Sequence, residues 1–417
     1  MLPPVPATPP AAFDPDLIRD RSVRGRVAQW FMAHARWLFA ALRTFHPNLR
    51  LGRYVLVTRR DDVEEVLSHA DCFHVRFGTR LAALHPEAPA TPIPGIGTDG
   101  PQYPPALETI SQVVPFADIP AVTAIVRHFA EASVAGRTRL DAGALAWLTQ
   151  AELGRRYLGL NLNDGNLSRF GLCCLAIGNY IFGPQTETSA AFQAGRGAAA
   201  EISGMLRRSI AHARAAPPSA TGPATVLGRL VVAGLDDCII ESTLTGLLAA
   251  LVPASTLAVI NTVQVLLRQP NAMAAARAAA VAGDDVALFR CLFEALRFQP
   301  ILPGLFRECI ADGVIAGGTA RQRHVRAGDV VFASTASGMF DPQRVAVPGR
   351  FDPDRPAADT MLFGFGRHWC VGFAVGRVQL IETLRPMLRR GFRQPWADRF
   401  NITWFGTFPE SLMVRLG

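Results

Sequence analysis

The chain has 417 residues, 49% of them hydrophobic, which is ample for a sizeable core, and no long polar linker divides it, so one large domain is expected. All 42 basic side chains are arginine and the net charge is +8, yet these arginines are scattered among Ala and Leu instead of forming an aromatic-laced stripe, which argues against a nucleic-acid partner. Seven cysteines without Cys-x-x-Cys or zinc spacing argue against a disulfide framework and for a reducing, cytoplasmic setting.

The first residues, Met1-Leu2-Pro3-Pro4-Val5-Pro6, lack the charged start and apolar core of a leader or anchor. Residues 1–20 are therefore read as a Pro-rich arm, mobile or strapped to the surface, ahead of a single domain over 21–417. Helical periodicity passes through Val23, Val27, Trp30, Phe31, Trp37 and Leu38. Tyr54–Val57 predicts a strand and Asp61 to Leu67 a helix. From Arg76 to Pro105 the density of Pro and Gly predicts a long loop of the kind that lines binding sites. Helices are predicted near 119–134, 141–159, 166–182 and 189–214, with a Pro/Ser/Gly connector from Ala215 to Ala224.

Ser242 to Leu267 contains no charge and is long enough to cross a membrane. Hydroxyls and amides such as Thr243, Thr245, Asn261 and Gln264 sprinkle it, however, and Pro253 interrupts it; a helix buried through the centre of a large domain accounts for the pattern. Further on, Glu294-Ala295-Leu296-Arg297 places acid and base three apart among Cys291, Leu292, Phe293 and Phe298, so the pair is expected to be buried and to need further partners. Gly328-Asp329 before Val330–Phe332 predicts a turn and a strand. Finally, Phe363-Gly364-Phe365-Gly366-Arg367-His368-Trp369-Cys370-Val371-Gly372 sets a lone cysteine in a glycine-rich turn just before an apolar-periodic helix. That setting suits a thiolate on a metal, because amides at a helix start supply positive potential and glycines leave room for a flat macrocycle.

The spacing Phe-x-x-Gly-x-His-x-Cys-x-Gly resembles the cytochrome P450 superfamily, in its soluble bacterial type, with Glu-x-x-Arg upstream at the interval that family uses, and the resemblance spans roughly residues 50–415. The resemblance implies a mainly α fold with small β-sheets and a long central helix over the haem. It implies haem b with Cys370 as the ligand of the iron, in a loop shaped by Phe363, Gly364, Gly366 and Gly372. Glu294, Arg297 and Arg355 would form a structural lock with the stretch Arg350 to Pro356. Arg307 and His368 would hold the propionates. Tyr103 stands where the family commonly has a His contact and Leu107 where it has an Arg.

Counting back from Pro270 puts Pro253 and Ala254 where the family keeps an acid and an alcohol for proton delivery, so both are missing. Proline frees a carbonyl near Ala249 to hold a water or a substrate hydroxyl, and Ser255 or Thr256 is the nearest substitute alcohol. Substrate contacts implied by family topology are Phe77 to Ile96, Phe182, Leu248, Val252, Ile301 to Leu305 (Ile301 and Leu302 foremost) and Phe405. The implied activity is oxygen insertion into a small apolar molecule, of the kind found in secondary metabolism, using O2 and electrons from NAD(P)H through ferredoxin and ferredoxin reductase. A peroxide-using peroxygenase or hydroperoxide isomerase is the alternative, since such branches also lack the alcohol; a non-catalytic haem protein is a third. Arg367, Arg377, Arg389 and Arg390 are candidates for a basic face toward an acidic redox partner. A monomer without a membrane span is expected.

Overall fold

The computed structural model describes residues 13–18, 36–84, 99–100, 103–183, 189–215, 224–394, 403–405 and 408–417, with side chains left out for 403–405 and 408–410. Residues 36–45 are helical (α1). Then come β1 (Asn48–Leu51), β2 (Tyr54–Val57), α2 (Arg60–Ser68), β3 (Phe73–Val75), α3 (Phe77–Leu84), α4 (Tyr103–Val113), α5 (Ile119–Val134), β4 (Arg139–Asp141), α6 (Ala142–Leu153), α7 (Asp164–Phe182), α8 (Ala190–Ala215) and α9 (Val226–Val232). The long α10 (Asp237–Arg268) is followed by α11 (Pro270–Ala282), α12 (Asp285–Phe298), β5 (Leu305–Cys309), β6 (Gly313–Ile315), β7 (Arg323–Val325), β8 (Val330–Ala333), α13 (Thr335–Gly338) and α14 (Phe373–Arg390). Short strands β9 (Phe392–Arg393), β10 (Thr403–Phe405), β11 (Phe408–Ser411) and β12 (Met413–Leu416) end the chain, so the fold is mainly α with small sheets.

Two compact units emerge. The first comprises Met1–Arg21, Phe77–Ile260 and Ala374–Gly417. Its core includes Leu81, Leu153, Phe170, Leu175, Ile177, Ile202, Leu244 and Val252, all at 2% exposure or less. Burying each such side chain is worth about 1.5–3 kcal/mol, and here that explains why α10 is apolar on every face. Of its most apolar stretch, 78% is buried. Tyr103–Val134 is also long and apolar enough to cross a membrane, but only 22% of its most apolar stretch is buried and a 3-10 turn at Phe116–Asp118 interrupts it. Asp141 caps α6, accepting from the amides of Gly143 and Ala144. The helix expected over 141–159 is α6 continued by a π-helical turn, Gly154–Leu158, that Gly159 closes at φ +84°.

The second unit comprises Ser22–Arg76 and Asn261–Phe373. Its sheet runs β1-β2-β8-β5-β3, with β2 parallel to β8 and the other pairs antiparallel. Val63, Val66 and Leu67, spaced three and four apart on α2, join Val55, Val57, Val331 and Ala333 in the core beside it.

One expectation changes. The loop expected from Arg76 to Pro105 contains α3, whose Leu81 and Leu84 are buried; a stripe of two leucines in eight residues is too short to stand out among Pro and Gly. The remainder, 85–98 and 101–102, lies outside the described residues, as do 216–223 of the connector and most of the 1–20 arm. The described part of that arm is strapped down: Phe13 and Ile18 are 3% exposed, and Arg169 donates to the Phe13 carbonyl at 2.5 Å.

Candidate functional site

The loop before α14 is closed by its own backbone. Cys370 N donates to Phe363 O at 2.9 Å, Gly364 N to Met361 O at 3.1 Å and Trp369 N to Gly366 O at 3.1 Å. Gly364 and Gly366 take φ +79° and +69°, and a Cβ at Gly366 would also lie 3.2 Å from Leu67 O, so conformation and space both select glycine there. A Cβ at Gly372 would lie 3.7 Å from Cys370 Sγ. Phe363 is fixed by ring contacts with Phe373 at 4.8 Å, Phe293 at 5.3 Å and Trp369 at 6.1 Å.

Protein packed around the sulfur raises the Cys370 thiol pKa, and the Gly372 amide, which donates to the sulfur, works the other way. Cys370 is nevertheless an exposed residue, and Trp369 and Val371 beside it are 48% and 42% exposed, so the loop keeps an open face next to the thiol. Among the described residues no three His, Cys, Asp or Glu side chains gather at one point. A metal at Cys370 would therefore draw its remaining donors from a group it arrives with. One thiol, left-handed glycines and an open face fit a macrocycle ligated from a single side.

Behind the loop lies the charged lock. Arg297 Nε and Nη2 donate to the two carboxylate oxygens of Glu294, both at 2.8 Å, with the side chains 0% and 3% exposed. Burial of such a pair is tolerable only with every remaining hydrogen bond supplied. Arg297 Nη1 reaches Met339 O at 3.2 Å, and Glu294 Oε1 accepts from Asp352 N at 3.0 Å and Arg355 Nε at 3.3 Å. Arg355 in turn donates to Ala346 O and Arg350 O, both at 3.0 Å. The rings of Phe298 and Phe340 lie 4.8 Å and 4.3 Å from the Arg297 guanidinium.

Arg307 lies on β5, opposite Val75 and Val331 in the sheet register, and is 2% exposed. A guanidinium held there has the chemistry to receive a carboxylate in a charge-assisted pair. His368 ends a 3-10 turn, Gly366–His368, and is half-buried. Tyr103 opens α4 at 4% exposure. Of the proposed basic face, Arg367 and Arg389 are exposed, whereas Arg390 is spent on the carbonyls of Val134, Arg137 and Gly417.

In the first unit, α10 continues through Pro253, which has no amide hydrogen for the carbonyl of Ala249 one turn back. Leu248 and Val252 are buried, and Ala254 is half-buried. Ser255 Oγ donates to Gln379 Oε1 at 2.7 Å, and Gln379 Nε2 donates to Gln150 Oε1 at 2.6 Å. Thr256 Oγ1 donates to Val252 O at 2.7 Å. Both hydroxyls beside the proline thus give their protons to protein acceptors. Gln150 and Gln379, at 0% and 1% exposure, carry no sequence signal beyond a single amide in an apolar run, and sequence reasoning missed them. Phe182 ends α7 with its ring edge-on to Phe77, centroids 5.2 Å apart. The Phe405 side chain lies outside the described residues.

Comparisons with known proteins agree with this arrangement. Residues 288–393, which span the lock and the cysteine loop, match the family model described as Cytochrome P450. Cytochrome p450 CYP199A2 of Rhodopseudomonas palustris is 31% identical over 45% of this chain and 40% of its own. The mycinamicin VIII C21 methyl hydroxylase of Micromonospora griseorubida is 34% identical over 23% of this chain and 24% of its own. A bifunctional dioxygenase–epoxy alcohol synthase of Pyricularia oryzae is 34% identical over 21% of this chain but only 8% of its own, so each alignment spans less than half of the relative it meets. Solved structures establish the fold over nearly the whole chain. Ligand-free cytochrome P450 TbtJ1 matches 92% of this chain and 98% of its own with a TM-score of 0.75 at 23% identity. A mutant of P450 EryK in complex with erythromycin B matches 93% and 97%, also with a TM-score of 0.75 at 23% identity. The loop and the lock thus lie in the stretch that matches the Cytochrome P450 family model, and the chain has the cytochrome P450 fold over nearly its whole length.

Proposed function

We propose that this protein is a haem-thiolate monooxygenase that inserts oxygen into a small apolar molecule, using O2 and electrons passed from NAD(P)H through ferredoxin and ferredoxin reductase. The observation that carries the proposal is the Cys370 loop, a single thiol in a glycine-shaped turn with an open face, backed by the Glu294–Arg297–Arg355 lock. When bound, a thiolate-ligated haem b supplies O–O cleavage chemistry. Cys370 would hold the iron, Gly364, Gly366 and Gly372 would leave its plane clear, and Arg307 and His368 would pair with the propionates, with Tyr103 adding a hydrogen bond. Leu248, Val252, Ile301, Leu302, Phe182 and Phe405 would contact the apolar substrate.

The contribution of α10 is to proton handling. Pro253 leaves the Ala249 carbonyl able to accept from a water or a substrate hydroxyl, and Ala254 leaves space beside it. Ser255, its own proton committed to Gln379, retains lone pairs that can orient a water. Protons would then reach the reaction from water and from the substrate. The hydroxylase relative supports a place in secondary metabolism. Seven free cysteines support a reducing, cytoplasmic setting, and α10 is read as a buried helix instead of a membrane span.

A second reading is peroxide-dependent turnover or hydroperoxide rearrangement, favoured by Pro253-Ala254 in place of an acid and alcohol and by the epoxy alcohol synthase relative. The test supplies either NADH with ferredoxin and its reductase, or peroxide alone. Product with the electron chain and none with peroxide upholds the first reading, and the reverse upholds the second. For the ligand itself, Cys370→Ala is expected to abolish the thiolate-type absorption of the ferrous carbonyl form; an unchanged Soret position would overturn the assignment.

A further inference from the structure

The segment Gln299 to Gly304 joins α12 to β5 and carries Ile301 and Leu302, both half-buried apolar residues. It is gripped at both ends. At its start, Asn261 on α10 donates Nδ2 to Pro300 O at 3.1 Å and accepts at Oδ1 from Gln299 Nε2 at 3.0 Å. Gln299 Nε2 also donates to Gln264 Oε1 at 2.7 Å, and Arg268 holds that same oxygen at 2.9 Å. At its far end, Pro303 O accepts from Ser334 Oγ at 3.0 Å and Ala336 N at 3.1 Å. Gly304 lies so close to β8 that a Cβ there would fall 2.6 Å from Ala333 O. Pro300 and Pro303 restrict φ at both grips. Ile301 and Leu302, between them, are left with little freedom to move.

The chemistry of the grip is informative. Asn261 and Gln264 are 5% and 6% exposed, and an amide buried to that degree costs free energy unless its hydrogen bonds are made. Apolar side chains would pack α10 against this segment without that cost. What amides add is direction, because a donor and an acceptor fix where the Pro300 carbonyl sits and apolar packing does not.

We propose that Asn261, acting with Gln299, is a positioning residue that fixes the Ile301–Leu302 wall and so sets selectivity for ligand bulk. The inference rests on the haem-thiolate reading above and deepens it. Loosening the wall removes contacts from a ligand large enough to reach it and leaves a smaller one undisturbed.

The test compares imidazole with 4-phenylimidazole, each titrated into the haem-loaded protein and followed by the Soret shift that nitrogen ligation produces. In Asn261→Ala, the 4-phenylimidazole Kd is expected to rise about fivefold or more while the imidazole Kd stays within about twofold. Both Kd values within about twofold of wild type, equal weakening of both, or tighter 4-phenylimidazole binding would each overturn the proposal. Gln299→Met keeps the side-chain volume and removes both donated hydrogen bonds, so it carries the same test should Asn261→Ala not fold. A wild-type protein that shows no Soret shift with imidazole would sink the haem-thiolate reading and this inference together; a normal wild-type response with an unmoved ratio in both variants sinks this inference alone.

Discussion

At Glu294 one carboxylate holds two guanidiniums and an amide, and almost nothing about the site is exposed. Removing a partner from such a site leaves charge stranded in low dielectric. Glu294→Gln is therefore expected to lower the unfolding free energy by about 3–5 kcal/mol in urea titrations. Arg297→Lys should recover little, because one ammonium cannot serve both oxygens of Glu294 and also Met339 O and Arg350 O. A loss under about 1 kcal/mol in either variant would mean that the site relaxes around the change. The acid and the base were legible in the sequence because apolar neighbours flanked them. Met339 O and Arg350 O were not, since any residue offers a carbonyl and only the fold decides which ones face inward.

Among elements, α10 shows what pattern can and cannot reveal. Its length and burial follow from a charge-free run, and α5 begins and ends where periodicity placed it. Helix α3 escaped notice because its two buried leucines sit in eight residues beside a Pro-rich stretch. Ser255 was visible as a hydroxyl near the proline, but its partner Gln379 lies 124 positions away. That bond is measurable as a coupling. A double-mutant cycle on Ser255→Ala and Gln379→Leu is expected to give about 0.5–1.5 kcal/mol of interaction energy. Gln379→Leu alone should cost more than Ser255→Ala alone, because it also strands the buried Gln150 carbonyl. Additive losses would show that Ser255 is free to hydrogen-bond elsewhere, and would return it to the role of proton donor.

Across the whole molecule, an all-arginine complement of 42 cations meets 34 carboxylates, and several of those carboxylates depend on a guanidinium. Hydrogen bonds from Arg50 hold Asp329 below the usual carboxylate range, and Arg350 and Arg169 do the same for Asp352 and Glu201. At Glu382 burial pushes upward, but Arg127 and Arg385 overcome it and the pKa is lowered there too. A carboxylate depressed in the folded state contributes stability that is complete above its unfolded pKa and is lost as pH falls through the folded one. Unfolding free energy should therefore hold steady near neutrality and decline below about pH 4, where rising positive charge adds self-repulsion. Arg50→Ala separates the two causes. It releases Asp329 from a bidentate pair with contacts of 2.6 and 3.3 Å, so its folded pKa moves toward the unfolded one. The variant should be less stable than wild type at pH 7, and the gap should narrow as Asp329 protonates in both. Urea titrations at pH 7 and pH 3 decide it: a gap that stays constant would mean that Arg50 contributes by packing its stem and not through the charge of Asp329.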